Sequence, residues 1–109
     1  MEQTRLTVSG IRFFIEVEGK EIAHAYLYLL DNDLHDSSFG FIEDVFVDEK
    51  HRGTGAGKEL LDSIIDCARE EHCYKLIATS RDDGSRGVVH EWYLRLGFVD
   101  WGTEFRMNL

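Results

Sequence analysis

Proline is missing altogether from this chain of 109 residues, so glycine and Asp/Asn clusters are the only strong punctuation between elements. Cysteine is almost as scarce. Cys67 and Cys73 stand six residues apart with no Cys-x-x-Cys spacing and no histidine cluster to complete a zinc site, which leaves reduced thiols. Long apolar runs are lacking too: the longest, from Ile22 to Leu30, is interrupted by His24 and is too short to cross a bilayer. Basic residues are outnumbered, 12 against 21 acidic, and the formal charge of −9 sets up a field that repels polyanions. Nucleic acid and membrane are therefore not expected as partners. The first residues, Met1-Glu2-Gln3-Thr4-Arg5, carry neither a secretory nor a transit signature, so the expected location is cytoplasmic. The remaining composition, 43% hydrophobic residues with no repeat or linker, suits one domain over residues 1–109.

Hydrophobic periodicity divides the chain into short elements. Ile11 to Glu18 reads as a strand, turning through Glu18-Gly19-Lys20-Glu21 into a second strand from Ile22 to Leu30. Phe39 to Val47 reads as a third, with Phe39, Phe41, Glu43, Val45 and Val47 on one face. From Gly55 to His72 the period becomes helical, with Leu60, Leu61, Ile64, Ile65, Cys67 and Ala68 along one face. Leu76-Ile77-Ala78 comes next as a short strand, which makes a strand-helix-strand unit and hence a parallel pair. A second helix, from about Val88 to Leu96, should stop at Gly97. Phe98 to Trp101 and Glu104 to Met107, divided at Gly102-Thr103, read as a closing hairpin. The expected fold class is α/β (α+β), a mixed and mostly antiparallel sheet with a central parallel pair and flanking helices.

The densest chemical signal is the run Arg52-Gly53-Thr54-Gly55-Ala56-Gly57-Lys58. Three glycines between a strand and an amphipathic helix let successive N–H groups converge on one spot, and the helix N-terminus adds partial positive charge there. Lys50, Arg52 and Lys58 concentrate positive charge in an otherwise acidic chain, so an anion such as phosphate fits. A P-loop would need glycine in place of Arg52 and Ser or Thr in place of Glu59, and a dinucleotide fingerprint would need glycine in place of Lys58. A connector with incidental glycines is the bland alternative.

The run Ile42-Glu43-Asp44-Val45-Phe46-Val47, followed by Arg52-Gly53-Thr54-Gly55-Ala56-Gly57 and a helix, resembles the acyl-CoA-binding motif of the GNAT acyltransferases. Glu91-Trp92-Tyr93-Leu94-Arg95-Leu96-Gly97-Phe98 resembles the second hallmark of that family, and the surroundings of Glu43-Asp44 look most similar to its polyamine acetyltransferase branch. The resemblance, which covers residues 39–109, implies an acetyl-CoA-dependent N-acetyltransferase that works by direct transfer through a tetrahedral intermediate, with no metal. It implies that the backbone of Val45, Phe46 and Val47 meets the pantetheine arm and that Arg52, Gly53, Thr54, Gly55, Ala56, Gly57 and Lys58 hold the pyrophosphate. Tyr93 corresponds to the tyrosine that delivers a proton to the leaving thiolate.

An amine acceptor must lose a proton before it attacks, and Glu43 is the candidate base. Its expected place among Phe41, Val45 and Val47 would desolvate the carboxyl and raise its pKa; the bland reading is a carboxylate on a solvated edge. Asp44, pointing the other way, could attract a cationic acceptor, and the acidic balance favours a cationic small-molecule or peptide amine. His24, His35, His51 and His72 are scattered and carry no assignment. Only ten residues precede Ile11, which leaves almost no room for the two helices that relatives place over the acceptor site; the alternatives are an open cleft, one completed by the second subunit of a homodimer, or one shaped for a large substrate such as a protein tail. Arg86 stands where relatives often carry an Asn that contacts the cofactor. These departures keep open the alternative of a non-catalytic module that binds coenzyme A.

Overall fold

The computed structural model describes residues 1–80 and 87–109. Arg86 lies outside them. Four strands, β1 (Ser9–Val17), β2 (Lys20–Leu30), β3 (Phe39–Val47) and β4 (Leu76–Ala78), form one sheet in the order β1-β2-β3-β4. β1, β2 and β3 pair antiparallel, whereas β3 and β4 are the parallel pair, joined by the crossover helix α1 (Ala56–Glu70). A second helix, α2, spans Gly87–Arg95. The chain divides into two compact units, Met1–Ile77 with most of the sheet and α1, and Ala78–Leu109 with α2.

Each turn has a local cause. Glu18 and Gly19 both adopt positive φ (53° and 77°), the backbone that lets a two-residue loop follow the right-handed twist of β1 and β2. Gly97, at φ 99°, ends α2 as the periodicity predicts: the Phe98 N–H reaches the Tyr93 carbonyl at 3.0 Å and the Gly97 N–H reaches that of Leu94 at 3.2 Å.

The core of the first unit lies between α1 and one face of the sheet. Leu60, Leu61, Ile64 and Ala68, spaced three and four apart on α1, are buried with Ala23, Ala25 and Leu27 of β2 and Ile42, Val45 and Val47 of β3. Cys67 is only half-buried, at the margin of this face. Both thiols are free, and burial first, then the Glu71 charge, pushes each of them up, which disfavours thiolate near neutral pH.

The expected C-terminal hairpin does not form: residues 98–109 make no strand. Parity explains this. A two-residue turn at Gly102-Thr103 would set Trp101 opposite Glu104 and Val99 opposite Arg106, so apolar side chains would project from both faces and neither face could be buried.

Gly40 sits at a close approach between β3 and β4. Its N–H donates to the Lys75 carbonyl at 3.0 Å, and a Cβ there would come within 2.8 Å of Leu76 Cδ1 and 3.0 Å of Leu27 Cδ1. Gly40→Ala is expected to overpack this seam and lower stability by about 1–3 kcal/mol, read as a reduced urea midpoint with unchanged slope.

Candidate functional site

β3 carries the first half of the site, and its geometry is set by a bulge. His24 faces Phe46 and Tyr26 faces Glu43, so the single residue Ala25 opposes both Asp44 and Val45. Asp44 takes φ 53°, the left-handed region that aspartate tolerates better than most residues. The extra residue shifts the phase of the strand. Gly40 and Ile42 face the core before it, Val45 and Val47 after it.

The face expected for this strand is thereby corrected. Phe39, Phe41 and Glu43 lie on the outer side of the sheet, while Val45 and Val47 are buried beneath α1. Glu43 is exposed, so it does not have the desolvated place expected for it among Phe41, Val45 and Val47. Asp44 is exposed as well. Phe46 lies outward at 47% exposure, stacked on the His24 ring with centroids 5.3 Å apart.

After β3 the chain makes a single 3₁₀ turn (Glu49–His51) and enters the glycine run. The Arg52 Nε donates to the Val47 carbonyl at 3.1 Å, tying the turn to the strand end, and the Thr54 hydroxyl donates to the His51 carbonyl. Gly53 and Gly55 hold φ 80° and 91°, and a Cβ at either would meet nothing within 4 Å. Backbone conformation, not crowding, thus demands glycine there, and the space in front of both is open. Gly55 is the N-cap of α1, whose first intrahelical bond runs from the Glu59 N–H to the Gly55 carbonyl at 3.0 Å.

Among the described residues, no hydrogen-bond acceptor is found for the N–H groups of Gly53, Gly55, Ala56, Gly57 and Lys58. These donors combine with the positive end of the 15-residue α1. Ala56 and Gly57 are buried, while Arg52, Thr54 and Lys58 are exposed. Lys58 Nζ sits 2.6 Å from Asp62 Oδ2, one helical turn on, which offsets part of its charge. The arrangement fits an anion with several oxygens, held by backbone donors rather than by one cationic side chain.

Sequence reasoning passed over two contributors. His51, left unassigned, has its Nδ1 3.1 Å from Asp48 Oδ2, and that contact is the chief cause holding the Asp48 carboxyl below the usual range. An Asp-His spacing of three residues just before a glycine run was the available signal. Tyr26, the partner of Glu43 in register, accepts a 3.2 Å hydrogen bond from Arg12 Nε, and Arg12 pairs with Glu21 at 2.6 Å. Arg12, and then His24, hold Glu21 low. Tyr93 belongs to the second unit, where it is buried on α2 with its ring centroid 5.3 Å from that of Phe98.

The family model described as "Acetyltransferase (GNAT) family" matches residues 2–98. Over 70 residues the chain is 36% identical to the glucosamine 6-phosphate N-acetyltransferase of Trypanosoma brucei brucei, covering 64% of this chain and 44% of that protein. The chain spans less than half the length of the curated relatives it matches. Among solved structures, a putative acetyltransferase from Agrobacterium tumefaciens str. C58 is similar with a TM-score of 0.82 and 29% identity, over 92% of this chain and 69% of that one. The glucosamine-6-phosphate N-acetyltransferase of Arabidopsis thaliana gives 0.78 and 25%, over 91% and 66%.

The Asp48–His51 contact yields a pH dependence with a definite sign. A depressed carboxylate contributes stability above its unfolded pKa and loses it as pH falls through the lowered folded value. Urea midpoints measured below about pH 4 are therefore expected to fall less steeply with acid for Asp48→Asn than for the wild type.

Proposed function

This chain belongs to the acetyltransferase (GNAT) family, and from that premise we propose that it moves an acetyl group from acetyl-CoA to a primary amine. The observation that carries the proposal is the set of five N–H donors from Gly53 to Lys58 without an acceptor among the described residues, in front of glycines whose positive φ keeps the approach open. They would bind the donor's diphosphate without a metal bridge, and Arg52 would hold the turn in register with the end of β3. The bound thioester supplies an electrophilic acyl carbon. The backbone of Val45, Phe46 and Val47 would align the pantetheine arm, with Val45 and Val47 anchored in the core.

Attack by the amine releases a proton, and Glu43 would take it. Because Glu43 is exposed, transfer through a water molecule is the reading its position favours. Breaking the carbon–sulfur bond leaves a thiolate that gains a proton, and Tyr93 would donate it. The same exposure favours a second reading, a module that binds coenzyme A without turnover, since nothing desolvates its candidate base.

The acceptor class draws on two sources. The relatives are named for glucosamine 6-phosphate, an amino sugar carrying an anionic group, whereas the acidic balance and the exposed Glu43-Asp44 pair suit a cationic amine such as a polyamine. The shared chemistry is a primary amine presented at the bulge of β3.

Calorimetry with acetyl-CoA is the decisive measurement. Gly55→Val, which forces a β-branched side chain into the left-handed region and into the open approach, is expected to weaken binding at least about tenfold. Glu43→Gln and Tyr93→Phe should leave acetyl-CoA affinity intact while lowering kcat about 10²-fold, in assays offering glucosamine 6-phosphate and spermidine separately. Binding with no transfer to either amine would support the second reading. Absence of binding by the wild type would overturn both.

A further inference from the structure

The outward face of β1, β2 and β3 carries aromatic rings where a sheet facing water ordinarily carries polar side chains. Register lines its residues up in three rows across the strands: Phe14, His24 and Phe46; Arg12, Tyr26 and Glu43; and Gly10, Tyr28 and Phe41. The Tyr26 and Tyr28 rings are parallel to within 8°, with centroids 6.3 Å apart, so a flat group stacked on one is aligned with the other. Gly10 makes room for this. A Cβ there would come within 3.2 Å of Tyr28 Cδ1 and 3.3 Å of its Cε1, so the ring lies over the space that the missing side chain leaves. Tyr26, Tyr28 and Phe41 are only half-buried. The charge beside them is one-sided. Arg12 is already committed: its guanidinium sits 2.6 Å and 2.7 Å from the two Glu21 oxygens and donates to the Tyr26 hydroxyl at 3.2 Å. Glu43 and Asp44, by contrast, stand exposed at the end of the middle row, and Glu43 is two residues along the strand from Phe41 on the same face.

We propose that this face selects the acceptor, and that the acceptor is an arylalkylamine: a primary ammonium group joined by a short chain to a flat apolar ring. The ring stacks against Tyr26, Tyr28 and Phe41 while the nitrogen meets Glu43. The assignment rests on the reading of Glu43 as the group that takes the amine proton. Aromatic faces hold a flat ring by stacking, and their negative quadrupoles favour the cation that the ring carries. An amino sugar phosphate fits less well, because its anionic group meets Glu43, Asp44 and a guanidinium that would first have to leave Glu21. A polyamine satisfies the carboxylates but leaves the parallel rings without a flat partner. Ligand sites of this kind combine an apolar lining with a few placed polar groups that fix orientation.

Amide NMR titrations of the full chain with coenzyme A present, using 2-phenylethylamine, hexylamine and glucosamine 6-phosphate in turn, read amine binding without turnover. 2-Phenylethylamine is expected to shift the amides of Tyr26, Tyr28, Phe41 and Glu43 and to bind about fivefold more tightly than hexylamine, with glucosamine 6-phosphate weakest. Tyr28→Leu should remove the preference for the ring and Tyr28→Phe should keep it, with far-UV circular dichroism checking the fold of both. Glu43→Gln should weaken the two monoamines together. Equal affinity for the two monoamines overturns the proposal, as do tighter binding of glucosamine 6-phosphate, shifts confined to other parts of the chain, or a Glu43→Gln variant that binds like the wild type. Acetyl transfer to the same amines is a separate readout. Ring-selective binding without transfer supports the ring site in a chain that is not a catalyst, whereas transfer to all three amines without preference overturns the ring site and leaves the transferase standing.

Discussion

One backbone irregularity governs the first unit: the extra residue at Asp44. Before it, β3 buries Gly40 and Ile42; after it, Val45 and Val47. Without the bulge, a strict period of two would place Val45 and Val47 on the outer face with Phe41, and the sheet beneath α1 would lose two of its buried side chains. The bulge reconciles an acidic pair on the surface with an uninterrupted core, at the point where the strand turns toward the glycine run.

The connection from β3 to α1 depends on that anchoring. Arg52 reaches back to the Val47 carbonyl, Thr54 to that of His51, and His51 to Asp48, so side-chain bonds hold this short segment in place. Gly53 and Gly55 then take positive φ just before α1 begins. Buried Ala56 and Gly57 bring the helix start close to the core without side-chain bulk in front of the donors. Rigid support at the strand end and open backbone at the helix start together make a multi-oxygen anion the natural guest.

The outer face of the sheet has a different character. Arg12, Glu21, His24 and Tyr26 form a bonded network, with Phe14 and Phe46 beside it. The register of β2 and β3 sets Glu43 next to Tyr26 on this side, so the candidate base stands on a polar and aromatic surface. There it is open to solvent, and its position relative to an incoming amine decides what it can do.

Much of this was legible in the order of residues. Helical spacing identified α1, β-branched runs identified β1 to β4, and Gly97 marked the end of α2, because each is a local pattern with one inexpensive solution. The glycine run was recognisable as an anion cradle for the same reason: positive φ and helix-terminal donors are local properties. The bulge was only half legible. Apolar residues change from even to odd positions across Glu43-Asp44, but whether the backbone absorbs such a break as a bulge depends on how β2 pairs opposite it. The parity that forbids a closing hairpin at Gly102-Thr103 was there to be read in residues 99–106, whereas the environment of Glu43 belongs to the tertiary structure. Exposure and strand pairing are relations between distant segments, and no single segment contains both partners.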